Sequence, residues 1–474
     1  MRKIVLLALV FVSSVTAFAQ DFSNKGKDFW VGYGYHQVMN TGGGGGNGQN
    51  MVLYFAADVS SVVTVAIPGL GYTQTYNVAA NTIFTTPALP KGPLPALDAR
   101  LNTDGLFDKG IHITSDFPIV AYAHIYNQSV SGATLLLPTS TLGKEYYSIN
   151  YTNNSNVGNS NCWFYVIATE PGTTDVEITP SAAAIGHPAG VPFTVTLQQG
   201  QIYNVMGTVS GNSGTDLTGS IVKSVSAGNI CKRIAVFSGS GRIYINCGSG
   251  NTSSDNYMVQ SFPKAAWGKK YLTAPTGSSM SRNIFRICVS DPLAQVKING
   301  ALTTLPLNNN FYYEIPATSS PQLIESDLPI TVAQYITTTG ACGNGNPGDP
   351  EVIYLSSVEQ NISNVLFNSN LLVNPSPPGL PHQHWVNAVI PNGGTALTSF
   401  RIDGNAPLVP FNVHPQDPNY SYIQIPNLAL GQHTLTSDSG FNAIAYGFAS
   451  TESYGYNAGT NVRDLSKELE IETT

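Results

Sequence analysis

Thr114-Ser115-Asp116-Phe117-Pro118-Ile119-Val120-Ala121-Tyr122 returns as Glu325-Ser326-Asp327-Leu328-Pro329-Ile330-Thr331-Val332-Ala333, and again as Thr436-Ser437-Asp438 followed by Phe441-Asn442-Ala443-Ile444-Ala445-Tyr446. A looser copy, Val222-Lys223-Ser224 then Arg233-Ile234-Ala235-Val236-Phe237, lies between the first two. In each copy a polar turn signal runs into β-branched and aromatic residues, the composition of a buried strand entered from a bend. Self-similarity at a fixed interval marks a chain built from copies of one supersecondary unit. Two further series keep the same interval. Gly26-Lys27-Asp28-Phe29-Trp30 recurs as Gly143-Lys144-Glu145-Tyr146-Tyr147 and Gly268-Lys269-Lys270-Tyr271-Leu272, and strand pairs recur at Met51 to Ile67, Trp163 to Ile178, Ile284 to Ile298 and Trp385 to Ile402.

These spacings give a unit of roughly 100 to 120 residues, with about six to eight strands in each. No segment beyond the first twenty residues carries an i, i+3, i+4, i+7 apolar stripe for three turns, so helix is marginal. The expected fold is all-β: tandem antiparallel β-sandwich-like repeats, in which alternate side chains fill the space between two sheets. The alternative is a β-propeller with about two blades per repeat, which would also protect the strand edges. The chain divides into a signal peptide (1–20), four β repeats (21–135, 136–260, 261–355 and 356–465) and a C-terminal tail (466–474). Gly42 to Gly46 read as a flexible hairpin insertion, since no Lys-Ser/Thr and no helix follow to cradle a phosphate.

Composition narrows the function. Arg2 and Lys3 precede an apolar run from Ile4 to Val15, and Ala17-Phe18-Ala19 provides small residues for a signal peptidase, so export with cleavage after Ala19 or Gln20 is expected. No later stretch reaches the roughly 18 apolar residues of a membrane-spanning helix. Charged residues make up 10% of the chain and the net charge is −7, or −9 once Arg2 and Lys3 are removed. With no basic run left to neutralise phosphates, nucleic acid is excluded as an expected partner.

No Gly-x-Ser-x-Gly elbow, His-Glu-x-x-His or Walker signature occurs, and the 28 acidic residues are scattered singly, as in Ser115-Asp116 and Ser326-Asp327, where they can satisfy backbone donors at turns. His382 and His384 would share one strand face, but two imidazoles fall short of the four ligands of structural zinc. Gly348-Asp349-Pro350-Glu351 lacks the alternating acidic spacing of a calcium loop and reads as a plain turn. No catalytic residue, metal site or cofactor is therefore assigned. Tyrosine is the binding residue in excess: Trp30, Tyr33 and Tyr35 near one end, Tyr446, Tyr454 and Tyr456 near the other. Tyr33, Tyr35, Tyr454 and Tyr456 are the candidate binding residues, because rigid amphipathic rings give contact area at small entropic cost. The competing reading packs the same rings between units. Cys231 and Cys247 are expected to form a disulfide, both lying eight residues from Gly239 in what reads as a hairpin about Ser238-Gly239-Ser240. Cys162, Cys288 and Cys342 then leave an odd thiol, expected to be buried.

The wording of the repeats is similar to the N-terminal domain family of IgGFc-binding proteins. The residues that carry the likeness are the Gly-Lys series, Leu137-Pro138-Thr139, Asp216-Leu217-Thr218-Gly219-Ser220, Ala235-Val236-Phe237-Ser238-Gly239, Trp267, and Gly348-Asp349-Pro350-Glu351 with Val358-Glu359-Gln360. The bacterial branch that this chain resembles implies a large secreted or surface protein, with further β modules where the natural chain is longer. The expected function is a secreted or cell-surface, non-catalytic binding or adhesion module that contacts an extracellular polymer, glycan or protein surface. Repetition favours it, since copies give spacing and avidity whereas catalysis needs one unique site. The alternative is a carbohydrate-active, glycoside hydrolase-like enzyme on a β scaffold, needing only two carboxylates about 5 to 10 Å apart.

Overall fold

The computed structural model describes residues 23–40, 46–92, 97–127, 129–225, 231–277, 281–345, 347–373 and 382–468. The expected signal peptide and most of the glycine insertion lie outside them. Strands dominate, each pairing antiparallel with its neighbours. The two α-helices, Ala396–Ser399 and Leu465–Glu468, have four residues each.

The recurring Ser-Asp stretch lies in the middle of a long strand that serves two layers. Ile111–Asn127 pairs through its first half with Gly26–Val31 and Ser61–Ile67, and through its second half with Asn50–Ala57 and Val130–Leu135. Leu323–Ile336 and Gly431–Phe448 organise the third and fourth sets of strands in the same way. Each of these three sets is one seven-stranded sheet folded through its long strand, a sandwich-like arrangement. The bend is clasped by the repeated aspartate. Asp116 Oδ1 accepts the Val62 N–H at 2.8 Å and the Ser61 hydroxyl at 2.6 Å. Asp327 Oδ1 accepts the Gln295 N–H at 2.7 Å, and Asp438 accepts the hydroxyls of Ser399 and Thr395. These acids satisfy donors as expected but lie inside continuous strands, not at turns. Asp116 and Asp327 serve the start of a neighbouring strand, and Asp438 serves the short helix Ala396–Ser399 and its N-cap Thr395.

The second set carries the loose copy, and there the long strand is in two pieces. Ile221–Val225 pairs with Glu145–Tyr147 and Thr174–Thr179, while Ile234–Ile243 pairs with Cys162–Ala168 and Asp255–Gln260. The pairing scheme survives, with the described residues 231–233 outside any strand.

The Gly-Lys series explains how sets join. A Cβ on Gly26, Gly143 or Gly268 would fall 2.3 Å from Pro138 Cβ, 2.4 Å from Pro263 Cβ or 2.1 Å from Ser357 Oγ. Those three residues open the 3₁₀ turns Thr139–Thr141, Lys264–Ala266 and Val358–Gln360, which lead from one set into the next. Only glycine permits that approach.

The four sets close into a ring. The core of the first takes in Trp163, Tyr165 and Phe237 of the second. Tyr147 and Tyr257 pack with Tyr335 and Tyr354 of the third, Phe285 and Val332 of the third with Tyr446 and Phe448 of the fourth, and Phe367 and Phe441 of the fourth with Tyr54 and Tyr122 of the first. The Asn24 N–H donates to the Thr460 carbonyl at 3.1 Å, and Ser23 bridges to Asn461 beside it. The last strands of the sets, Val130–Leu135, Asp255–Gln260, Glu351–Tyr354 and Ser453–Gly459, meet along the middle. Closure is thus achieved by four sandwich-like units, not by paired propeller blades.

The cysteines correct one expectation. The disulfide joins Cys247 to Cys342, with Cα atoms 5.4 Å apart, and Cys231 is a free thiol. Ser238-Gly239-Ser240 is no hairpin turn: it lies inside the ten-residue strand Ile234–Ile243. Such a strand advances about 3.3 Å per residue, so residues flanking its two ends stand about 30 Å apart. Gly239 is there for packing, since a Cβ would lie 2.3 Å from the Trp163 indole. The bond fastens the second set to the third, and the free thiols of Cys162 and Cys288 are buried.

Candidate functional site

The four candidate tyrosines are core residues. Tyr33 and Tyr454 are 0% exposed, Tyr35 and Tyr456 2%. Their hydroxyls are satisfied internally: Tyr33 donates to the Gln49 carbonyl at 3.3 Å, Tyr35 to the Asn159 carbonyl at 2.6 Å and Tyr456 to the Asn368 carbonyl, while Tyr454 bonds His384 Nδ1 at 3.0 Å. Burial pushes all four hydroxyl pKa values up, Tyr35 to about 12. The expectation of exposed contact rings is corrected: ring closure covers the strand that carries Tyr454 and Tyr456, and the second set covers Tyr33 and Tyr35 in the segment that follows Gly26–Val31. His384 is likewise buried and, by loss of solvation, pushed down to about 4. Among the described residues no three His, Cys, Asp or Glu side chains group as metal ligands do.

The sequence reading missed two places. The first is the end of the central strands, where Asp255, Asp349, Glu351 and Glu452 are all buried. Asp255 accepts backbone N–H groups from Ser131 (2.5 Å), Asn256 (2.8 Å) and Ser453 (3.0 Å), which belong to the first, second and fourth sets. The Ser453 hydroxyl in turn accepts the Asp349 N–H of the third set at 3.0 Å, and Asp349 Oδ2 accepts the Ser253 hydroxyl at 2.6 Å. Burial raises the carboxyl pKa of Asp255 and Glu351 well above the ordinary range and that of Asp349 to about 6. Gly348-Asp349-Pro350-Glu351 is therefore an internal brace, not a surface turn. Carboxylates enclosed in this way tie four strands together, and nothing the size of a sugar reaches them.

The second place is open. A cleft of about 950 Å³ lies between the start of the second set, the turn Lys264–Ala266, and residues 462–467. That volume falls within the range of small-molecule and oligomer sites, whereas three further cavities hold about 30, 10 and 20 Å³, room for water at most. Five cationic side chains line it, Lys144, Arg233, Lys264, Arg463 and Lys467, against the carboxylates of Glu145 and Asp464. Glu145 Oε1 is shared, 3.2 Å from Lys264 and 3.7 Å from Lys223. Arg233 Nε holds Glu170 at 2.7 Å, the Arg463 guanidinium donates to the Glu359 carbonyl, and Lys467 pairs with Asp464 at 3.3 Å. Lys144 is exposed. Cations thus outnumber carboxylates here in a chain whose net charge is −7. The hydroxyls of Ser140, Thr141, Ser290 and Ser466 complete the wall. Chemically the cleft can hold an anion and hydrogen-bond hydroxyl groups. No single sequence signal marks it, because its residues come from six separated stretches.

Residues 132–447 match the family described as "IgGFc binding protein". A human relative named "IgGFc-binding protein" is 29% identical over 262 residues, a stretch that covers 53% of this chain and 4% of the relative's length. The family match runs from the last strand of the first set to near the end of the last long strand, taking in the second and third sets entire.

Proposed function

The chain belongs to the IgGFc-binding protein family, and from that premise we propose that it is a non-catalytic binding or adhesion module working outside the cytoplasm, at the cell surface or as a secreted protein. Its partner would be an extracellular polymer, glycan or protein surface. The observation that carries this reading is the ring: four copies of one strand scheme locked into a single body, with the buried carboxylates spent on bracing it. A disulfide between sets is in keeping with an oxidising compartment. No described helix is long and apolar enough to cross a membrane. The chain spans 4% of the human relative, so the Fc contact in that protein's name is not carried over.

The test is retention of the purified chain on immobilised glycans and extracellular proteins, with turnover of the same glycans followed in parallel. Retention without turnover supports the module. The enzyme alternative is tested at Glu145 and Asp464, the two carboxylates that line the open cleft. Glycan cleavage abolished by Glu145→Gln or Asp464→Asn would establish it in place of the module, and a chain retained on no surface would sink the binding reading.

A further inference from the structure

We propose that the cleft between the start of the second set, the turn Lys264–Ala266 and residues 462–467 binds an acidic polysaccharide, one bearing sulfate or uronate groups. This deepens, and rests on, the reading of the chain as a binding module.

Three features lead to that ligand class. First, charge is concentrated against the trend of the molecule: five cations line a single cleft while acids outnumber bases over the whole chain, 28 to 21. Such a cleft focuses the field on an incoming anion. Second, the cations are held at intervals. Arg233 is fixed by Glu170 at 2.7 Å and the Ser140 carbonyl at 3.4 Å, and Lys264 by Glu145 at 3.2 Å with its ammonium 6.0 Å from the Tyr147 ring centroid. Lys144 is exposed and Lys467 has a side chain 80% exposed, so both can turn to a ligand. Several cations in one cleft suit a polymer that carries many anions. Third, Ser140 and Ser290 line the same cleft and can hydrogen-bond the hydroxyls of a sugar. The wall has no aromatic ring, such as a nucleobase would need for stacking.

The experiment measures binding of a fluorescent heparin-derived hexasaccharide by the whole chain at 50 and 300 mM NaCl, beside an uncharged dextran oligomer and a single-stranded oligodeoxynucleotide of matched charge. The proposal expects salt-sensitive binding of the hexasaccharide and none of the dextran. The exposed pair Lys144→Glu/Lys467→Glu should weaken it by about tenfold or more, as reversal of rim charges does. Lys297→Glu, exposed and outside the cleft, should change it by less than about twofold on the same grounds. Unchanged thermal midpoints show that both variants fold. Equal losses in the two variants, or an oligodeoxynucleotide bound as tightly as the hexasaccharide, would overturn the assignment. If the hexasaccharide fails to bind while the chain is still retained on an extracellular protein surface, the cleft assignment falls and the module reading stands.

Discussion

The long strand of the second set is replaced by two, Ile221–Val225 and Ile234–Ile243, with the described residues 231–233 outside any strand, where those of the other three sets run through the bend unbroken. In the continuous sets, the backbone couples the two layers, and the aspartate clasp holds the bend. The second set lacks both devices, yet keeps the same pairing scheme. What replaces them is a joint to the third set. The Arg286 guanidinium, 1% exposed, bonds Asp216 Oδ2 at 2.7 Å, Glu314 Oε2 at 2.9 Å and the Thr218 hydroxyl at 2.7 Å, and lies 4.3 Å from the Tyr151 and 4.2 Å from the Tyr312 ring centroids. The Cys247–Cys342 bond crosses the same joint. The contrast teaches that a strand topology can outlive an interruption of its long strand when bonds to a neighbour take over the coupling.

The largest expected effect comes from cutting that joint at the disulfide. Closing a loop of 95 residues stabilises by about 4.7 kcal/mol in the chain-entropy model, so Cys342→Ser should lower the denaturation midpoint sharply. Cys231→Ser should leave it unchanged, and the reverse pattern would restore the hairpin pairing expected from the sequence. Next is Arg286→Met, which strands Asp216 and Glu314 and should cost about 3 to 5 kcal/mol, followed by the fluorescence of Trp267 in the shared core. A loss below about 1 kcal/mol would show the joint to be ornamental.

Acidity probes the brace common to all four sets. Asp349 has a folded pKa raised to about 6 from an ordinary 3.8, so the folded state binds the extra proton. The associated stability is fully present below about pH 4 and is lost as pH rises through about 6. Stability should therefore increase on acidification across that window by on the order of 1 to 3 kcal/mol from this group, and Asp349→Asn should flatten the change. A profile that the variant leaves untouched would mean the window belongs to other groups. The smallest effect is expected at the clasps: Asp327→Ala in a continuous set should shift the midpoint only slightly, since the unbroken strand still couples the layers. A shift as large as that of Cys342→Ser would reverse the comparison.

Much of the fold was legible in the sequence because the joints demand particular residues. Gly26, Gly143 and Gly268 had to recur for steric reasons, and the Ser-Asp pairs had to recur where a strand start needs an acceptor. Ring closure was harder to read, since alternation reports one covered face and closure covers both. The uninterrupted run Cys162-Trp163-Phe164-Tyr165-Val166-Ile167-Ala168, buried at every position, is the signal that both faces are occupied. The same oversight put Tyr33, Tyr35, Tyr454 and Tyr456 on the outside. A cue for the disulfide was present: Cys247-Gly248-Ser249-Gly250-Asn251 and Cys342-Gly343-Asn344-Gly345-Asn346 are copies of one loop. The cleft had none, because six stretches distant in the chain meet only after folding.

The contact of Asn24 with Thr460 bears on mechanics. Tension applied through residues just outside these two enters the body at one spot and pulls the first set directly away from the fourth. A tether running through such a module gains almost no length until that seam parts. Beyond it, the load reaches the joints between sets one after another, and between the second and third the disulfide stops any opening of the chain from Cys247 to Cys342. The stretch from Cys247 to Cys342, which holds most of the third set, would therefore add no length while the bond is intact.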